Sequence, residues 1–448
     1  MDFSQLYQAL QSLPGNAPES LVGNIFVPDF LKALGFCVTE TVPQFGTGRG
    51  ADTVDYAVRK NASNDIFIHT KSNPYLLLEI KGRDANLGGN STQYRSTVYQ
   101  LKRYLLAPNC RSAQWGIVTN STYIQLFRKH GKVIHPASPC WELTLDNLNE
   151  IVSAIKNKID NPQKALTIAV YNNKGGVGKT TTTVNLAATL AMQKKLSLIV
   201  DFDPNQQDLT NSLRLKPKED TLYSWLVNKR DQLVDGLVTA YQYPDKFGGL
   251  LRFDIITGDE KLLSLGEEKL RQMLSINRLR QALEVFKSQY DYIMIDSPPN
   301  WRFFSQCAVY AADVVLIPTK HNSIYSLENA AIVIKRFIPE IQNERKDGGP
   351  IALPIFYNGE FITEAQKLTA EQAIDEIIGK GKKDKVNYID LTPFFYPKYT
   401  SASQDRHIFD IPSYAHIASA AFARIPAVYK NRTVCDHYLA LAKEYFLQ

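Results

Sequence analysis

The sequence predicts an α/β protein in which a smaller α/β domain precedes a doubly wound, mostly parallel sheet. Strands alternate with helices after about residue 160, and several of these strands are almost wholly apolar. Such alternation is typical of a parallel sheet covered by helices on both faces. The helix-breaking pair Asn161-Pro162 separates this part from the preceding one. We therefore expect two domains, residues 1–160, which end in a linker helix, and residues 161–448.

The composition is that of an ordinary globular protein, with 44% hydrophobic and 21% charged residues among 448. A formal net charge of +6 allows a nucleic-acid partner without requiring one. The five cysteines are scattered, which argues against a disulfide framework or a structural zinc site. Neither a leader pattern nor an apolar run of about 18 residues is visible, so we expect a cytoplasmic protein.

Hydrophobic periodicity assigns the elements of the first part. Helices are predicted over residues 94–106 and 145–159 and at the end of an amphipathic stretch over 26–36; strands are predicted over 53–58, 75–80, 115–118 and 122–127. In the second part, strands are predicted over 166–171, 196–201, 253–257, 292–296, 314–318 and 351–357. Residues 379–385 are rich in glycine and lysine and are predicted to form a solvated basic loop.

A glycine-rich segment follows the strand over 166–171 and opens a helix. It consists of Lys174, Gly175, Gly176, Val177, Gly178, Lys179, Thr180 and Thr181. Glycines let backbone amides turn inward onto phosphate oxygens, and the start of the following helix favours negative charge. Lys179 can reach β- and γ-phosphates, and the Thr180 hydroxyl can bind Mg²⁺. The segment therefore predicts binding of ATP with Mg²⁺, and ATP hydrolysis.

Acidic residues end two of the apolar strands. Asp201 and Asp203 follow one strand, and Asp296 follows another. Ligands of open α/β sheets bind at the carboxyl ends of strands, where these acids are expected. Asp296 is the predicted direct or indirect Mg²⁺ partner. Either Asp203 or Asp201 is predicted to orient the attacking water.

These motifs together resemble the ParA/MinD family of deviant-Walker ATPases, over about residue 166 to the end. The family's additional lysine before the glycines matches Lys174, and the resemblance implies that it reaches the phosphates of a partner in an ATP-dependent sandwich homodimer. It also implies that Asn358 contacts adenine, that the protein binds DNA, and that a ParB-like or other protein activates it. The family usually has Gln-Gly-Asn after its Asp-x-Asp-Pro motif, whereas this chain has Asn205-Gln206-Gln207.

A second polar group stands in the apolar frame of the first part. Glu79 and Lys81 lie two residues apart on a predicted strand and should project from the same face. Asp55 lies in the preceding strand, with Asp52 as an alternative first acid. Two carboxylates and a lysine suit metal-assisted phosphodiester cleavage, in which Asp55 and Glu79 hold Mg²⁺ and Lys81 orients water.

Gln100 and Tyr104 follow on one face of a predicted helix. In this order the residues resemble the PD-(D/E)xK nuclease superfamily, and most of all the nuclease domain of type I restriction enzyme motor subunits. The resemblance implies a restriction-endonuclease-like fold with Glu19 as an auxiliary acid. Where the family often has proline before the first acid, this chain has Val54. Basic residues that would suit phosphate contacts are Lys102, Arg103, Arg111, Arg128 and Lys129.

The leading functional hypothesis is a two-domain ATPase whose ATP-dependent dimerisation controls DNA binding, while the first domain binds or cuts DNA. It would serve plasmid or chromosome partition, or defence against foreign DNA, from the cytoplasm or the nucleoid. One alternative is a partition ATPase whose nuclease-like domain is inert and only recognises DNA. A MinD-like ATPase that positions protein cargo or acts at a membrane ranks last, since no terminal amphipathic membrane helix is evident.

Overall fold

The computed structural model describes residues 3–89, 91–228, 233–245, 248–359, 363–384, 389–400, 403–412, 420 and 423–448. It divides the chain into two compact units. The first unit comprises Met1–Gln163 with Lys346–Gly348 and Gln448, and the second comprises Lys164–Arg345 and Gly349–Leu447.

The first unit is built on a mixed sheet. Its strands are β1 (Thr41–Gly46), β2 (Thr53–Val58), β3 (Leu76–Ile80), β4 (Trp115–Thr119), β5 (Tyr123–His130), β6 (Val133–Pro136) and β7 (Trp141–Glu142). The order is β1-β2-β3-β4-β5-β6, with β7 also paired to β5. β3 and β4 are parallel, and the other pairs are antiparallel. The predicted strands of this part are therefore confirmed.

Helices supply the crossover between β3 and β4 and cover the sheet. They are α1 (Ser4–Ser12), α2 (Glu19–Leu21), α3 (Val27–Ala33), α4 (Phe67–Thr70), α5 (Thr92–Leu105) and α6 (Leu148–Asp160), and a π-helical turn, Val22–Phe26, joins α2 to α3. The predicted helix over 26–36 ends near Gly35, whose φ of +93° is readily adopted only by glycine. Apolar residues fill a core on each face of the sheet.

The second unit has a larger sheet that is parallel except at one edge. Its order is β10-β11-β9-β12-β8-β13-β15, and only β10 and β11 pair antiparallel. A small parallel sheet has the order β14-β16-β17. The strands are β8 (Leu166–Val170), β9 (Ser197–Asp201), β10 (Val238–Pro244), β11 (Leu250–Ile256), β12 (Tyr292–Asp296), β13 (Val314–Leu316), β14 (Pro318–Thr319), β15 (Ile351–Ala352), β16 (Phe356–Asn358) and β17 (Asp410–Ile411).

Helices lie along the chain between these strands, and apolar residues of strands and helices form two cores in this unit. They are α7 (Lys179–Met192), α8 (Asp208–Asn211), α9 (Leu222–Val227), α10 (Glu260–Leu265), α11 (Glu267–Met273), α12 (Arg278–Leu283), α13 (Phe303–Ala311), α14 (Ile324–Ile332), α15 (Ile338–Arg345), α16 (Glu364–Lys383), α17 (Thr392–Phe395), α18 (Ala427–Lys430) and α19 (Arg432–Tyr445). β8, β9 and β12 are buried throughout, as expected of central parallel strands. The predicted mostly parallel α/β sheet is confirmed.

Three predictions for this unit were wrong in part. The single strand predicted over 314–318 is β13 followed by β14, which lie in different sheets. The single strand predicted over 351–357 is two strands in different sheets, because Pro354 between them has no amide hydrogen to continue a ladder. The basic loop predicted over 379–385 is helical as far as Lys383. Gly381 fits there because a Cβ would lie 3.2 Å from the carbonyl oxygen of Ile389, and lysines are favourable at a helix C-terminus. Residues 385–388 lie outside the described residues.

No helix among the described residues is both long enough and apolar enough to cross a membrane.

Gly116 on β4 allows α5 to pack closely against the sheet. A Cβ at this position would lie 2.9 Å from a methyl carbon of Leu101 and of Leu105. We expect Gly116→Val to lower the free energy of unfolding by about 1–3 kcal/mol, because overpacking forces the helix outward. Urea denaturation followed by circular dichroism measures this. Gly15→Ala is the control, since no heavy atom lies within 4 Å of its Cβ position, and an equal loss in both variants would contradict the packing argument.

Candidate functional site

The glycine-rich loop connects β8 to α7 at the carboxyl end of the larger sheet. β8 lies between β12 and β13 in the sheet. The loop therefore lies at the point where the strand order reverses, which is where open α/β sheets bind ligands. Gly176 and Gly178 have φ values of +72° and +85°, which favour glycine. Gly178 caps α7, whose first residue is Lys179. The positive end of this helix therefore points into the loop, as an anion site requires.

Asn358 holds this loop from the end of β16. Its Nδ2 donates to the carbonyl oxygens of Val177 at 3.1 Å and Gly178 at 3.3 Å, and to the hydroxyl of Thr182 at 3.2 Å. A Cβ on Gly178 would overlap that nitrogen. The amide thus fixes the loop's backbone, a role that the sequence did not predict; the adenine contact of Asn358 stays a prediction.

The two lysines of the loop have opposite environments. Lys179 is buried, and its Nζ donates to the carbonyl oxygen of Lys174 at 3.2 Å. Burial lowers the pKa of Lys179, and the charges of Asp296 and Asp203 oppose that shift. The side chain of Lys174 is exposed, and within the described parts of the chain its ammonium makes no hydrogen bond or ion pair. Only Lys179 therefore belongs to the charge cluster of its own chain.

The predicted acids meet at the ends of adjacent strands. Asp201 and Asp296 lie directly opposite each other in the pairing of β9 with β12. The Thr180 hydroxyl donates to Asp296 Oδ2 at 2.6 Å. Asp203 Oδ1 accepts from the backbone amides of Asn205 and Gln206, which form a turn around it. The structure thus brings Lys179, Thr180 and the three aspartates together.

Burial acts on all three carboxyls. It raises the pKa of Asp201 to about 6, and it also raises the pKa values of Asp203 and Asp296. Asp201 Oδ1 and Asp296 Oδ1 are buried yet accept no hydrogen bond from the described residues. Buried oxygens without donors are costly, and a hard cation with oxygen ligands such as Mg²⁺ would satisfy them.

The residues present therefore fit Mg²⁺, which Thr180 and Asp296 would hold. Among the described residues no three His, Cys, Asp or Glu side chains converge as a metal cage.

Sequence reasoning missed Thr210, which contacts Asp201. Its hydroxyl donates to Asp201 Oδ2 at 2.6 Å. The signal was available in principle, because a buried carboxylate requires donors and a buried threonine nearby in sequence can supply one.

The first unit assembles the second predicted group. Asp55 Oδ2 accepts from the backbone amide of Ile80 at 2.8 Å, and Lys81 Nζ lies 2.7 Å from Glu79 Oε1. Glu19 Oε2 lies 3.7 Å from the same ammonium. Burial, followed by the charge of Asp55, raises the pKa of Glu79 to about 7, while Lys81 lowers it. Asp55, Glu79, Lys81 and Glu19 therefore share one electrostatic site.

The helix α5 carries the remaining pair of this group. Gln100 Nε2 donates to the Tyr104 hydroxyl at 2.8 Å, as their spacing suggested. Asp52, the alternative first acid, instead forms an ion pair with Arg103 at 3.2 Å. Asp55 is thus the acid that lies beside Glu79 and Lys81.

Lys129 does not suit the phosphate contact predicted for it. Its side chain is buried, and Nζ donates to the carbonyl oxygens of Leu105, Cys110 and Arg111. Three carbonyls satisfy the three hydrogens of the ammonium, so this lysine joins a helix end to β5.

Comparison with known proteins finds a family and several relatives that match the second unit. A family described as "AAA domain" matches residues 165–348. An uncharacterised protein of Pseudomonas putida is 32% identical over 188 residues, which cover 41% of this chain and 68% of that protein. The chromosome partitioning protein ParA of Myxococcus xanthus is 29% identical over 286 residues, covering 62% of this chain and 86% of ParA.

The sporulation initiation inhibitor protein Soj of Bacillus subtilis is 37% identical over 163 residues, covering 36% of this chain and 60% of Soj. Among solved structures, an ATP complex of McdA from Cyanothece has a TM-score of 0.48 and 18% identity, covering 64% of this chain and 98% of that one.

The loop, the buried lysine and the strand-end acids define the second unit as a P-loop ATPase. With ParA and Soj among its relatives, the chain belongs to the ParA/MinD family. The resemblance drawn from Lys174 and the two acidic motifs is confirmed at this level. The nuclease resemblance of the first unit stays a prediction.

Two of the three loop glycines, Gly175 and Gly178, differ in backbone conformation and in the space around them. We expect Gly178→Ala to weaken ATP binding by about tenfold or more, because a Cβ there needs a disfavoured positive φ and overlaps Asn358. Gly175→Ala should change the affinity by less than about threefold, since the position has no positive φ and open space around its Cβ. Isothermal titration calorimetry with ATP measures both. Equal losses would show that the loop does not depend on this geometry.

Proposed function

We propose that this chain binds and hydrolyses ATP with Mg²⁺, that two ATP-bound copies form a sandwich homodimer, and that the dimer binds DNA. The observation that carries the proposal is the contrast between the loop lysines. Lys179 is buried within its own site, whereas Lys174 extends into solvent from the same loop. A cation held outside its own site suits phosphates supplied by a second copy, which a symmetric dimer would place reciprocally.

The strand-end acids support hydrolysis in this site. Thr180 and Asp296 would hold Mg²⁺, which when bound neutralises charge on the phosphates. Lys179 would contact the β- and γ-phosphates. Asp203 uses Oδ1 for its own turn, which leaves Oδ2 to orient the attacking water, while Asp201 completes the acidic edge.

A second candidate function, metal-dependent DNA cleavage, is favoured by the group in the first unit. Asp55 and Glu79 would hold Mg²⁺, and Lys81 would orient or deprotonate water. The raised pKa of the buried Glu79 is typical of a functional carboxyl in a shared site. Gln100 and Tyr104 would contribute from α5. The parallel crossover from β3 through α5 to β4 supports a restriction-endonuclease-like domain.

Both activities fit a protein that acts on DNA in the cytoplasm or on the nucleoid. Plasmid or chromosome partition and defence against foreign DNA are the two settings, with a ParB-like or other protein as activator. If the first unit is inert, it would serve as a DNA-recognition module. A MinD-like role at a membrane ranks lower, because the terminal helix α19 buries Val434, Tyr438, Leu441 and Ala442 within the protein.

The two lysines should have separable roles. We expect Lys179→Ala to weaken ATP binding by about 30-fold or more, because Asp296 and the phosphates lose their buried cation. Lys174→Ala should leave ATP affinity within about threefold of wild type and abolish the ATP-dependent dimer. Calorimetry measures binding, and light scattering with and without ATP measures mass. A dimer that persists in the Lys174 variant would argue against the sandwich arrangement.

The nuclease candidate has its own test. We expect wild type to nick supercoiled plasmid with Mg²⁺ or Mn²⁺, and Glu79→Gln to lose this activity by about 100-fold or more, because the metal loses a charged ligand. Glu150→Gln, which alters an exposed acid on α6, is the control. If wild type and the Glu79 variant produce the same background of nicked plasmid, the first unit is not a nuclease and the DNA-recognition alternative is preferred.

A further inference from the structure

Thr210 is a buried polar residue next to the strand-end acids. It lies in the short helix α8, which follows the Asp203 turn, and it is 0% exposed. Neither its hydroxyl nor its backbone amide reaches solvent. Both contact the same oxygen, since Thr210 N lies 2.8 Å and Thr210 Oγ1 2.6 Å from Asp201 Oδ2. One carboxylate oxygen is therefore held by two donors from a single residue.

The direction of the hydroxyl hydrogen follows from a third contact. The backbone amide of Gly258, just after β11, donates to Thr210 Oγ1 at 2.8 Å. An oxygen that accepts from this amide has its own hydrogen left for Asp201. The short oxygen–oxygen distance is that of a hydroxyl donating to a charged carboxylate.

The backbone of Gly258 is itself fixed in place. The carbonyl oxygen of Gly258 accepts from the amide of Lys218 at 2.9 Å. The next residue, Asp259, is fully buried, and its carboxylate accepts from the backbone amides of Tyr223 and Lys261. Thr210 is therefore held by the segment after β11 as well as by its contacts with Asp201.

The other oxygen of Asp201 has a different environment. Oδ1 is buried and accepts no hydrogen bond from the described residues, and its carboxyl lies across from Asp296. We propose that Thr210 is a positioning residue for ATP hydrolysis, which holds Asp201 Oδ2 so that Oδ1 is presented to the bound nucleotide, its metal and its water. This inference rests on the proposed ATPase function, and it assigns to Thr210 no contact with substrate.

The test compares Thr210→Val with Thr210→Ser in the full chain. Valine keeps the shape but cannot donate, so we expect kcat to fall about 10–100-fold, as small misplacements in active sites do. KM, and the Kd of a fluorescent ATP analogue measured with and without Mg²⁺, should stay within about threefold of wild type. Serine restores the hydroxyl and should return kcat to within about threefold of wild type.

Thr189→Val is the matched control. Thr189 is also buried, and its hydroxyl donates to the carbonyl oxygen of Asn185 within α7, away from the acids. We expect this variant to keep the wild-type kcat, so that loss of any buried threonine hydroxyl is separated from loss of the Asp201 contact.

The assignment would be overturned by a wild-type kcat in Thr210→Val, by a loss of nucleotide affinity as large as the loss of kcat, by failure of serine to restore kcat, or by an equal loss in Thr189→Val. Thr210→Ala serves if the valine variant does not fold; if neither gives the wild-type circular dichroism spectrum, Thr210 is a folding residue and the proposal fails. A wild-type chain that binds ATP without hydrolysing it would overturn the proposed hydrolysis itself, a separate outcome.

Discussion

The buried ammonium of Lys179 is the constraint around which the second unit is arranged. A lysine out of water is costly unless opposite charges lie near it. The parallel sheet supplies these charges, because β9 and β12 end side by side and place Asp201 opposite Asp296, with Asp203 two residues further on. Burial, and after it the charges of neighbouring acids, raises the pKa values of Asp201 and Asp296. A nucleotide that arrives with a divalent cation would bring the charges that this arrangement needs.

Neutral side chains fix the positions of the nucleotide loop and of Asp201. Asn358 fixes the loop backbone from β16, and Thr210 fixes Asp201 against the chain after β11. Each uses hydrogen bonds inside the protein, where an unmade bond costs more than at the surface. Because Asn358 comes from β16 and Thr210 from α8, a movement of the loop or of Asp201 has to be accommodated by separate elements of the second unit.

The first unit also places a buried acid at the end of a strand, with a lysine near it. Glu79 is almost fully buried at the end of β3, and Lys81 compensates its charge from the same face. The backbone amide of Ile80, between them, anchors Asp55. In both units burial raises the pKa of a strand-end acid, Asp296 or Glu79, and the charge of a nearby lysine opposes that shift. Among the described residues of the first unit no phosphate loop accompanies this group, so the proposed cleavage there would depend on the acids and the lysine.

Local pattern accounted for most strands, for the glycine loop and for the family, since apolar periodicity and the order of Lys174, Lys179, Asp203 and Asp296 are written in the chain. It failed where a single proline interrupts an apolar run and where packing against another chain segment decides. The strand over 351–357 changes sheets at Pro354, and the lysine-rich helix end continues because Gly381 packs against the chain near Ile389. The sequence by itself determined the chemistry at the nucleotide loop. Only the tertiary structure decided which partners hold it, Asn358 for the loop and Thr210 for Asp201, because these contacts depend on how β16 packs beside the loop and how α8 packs beside β9.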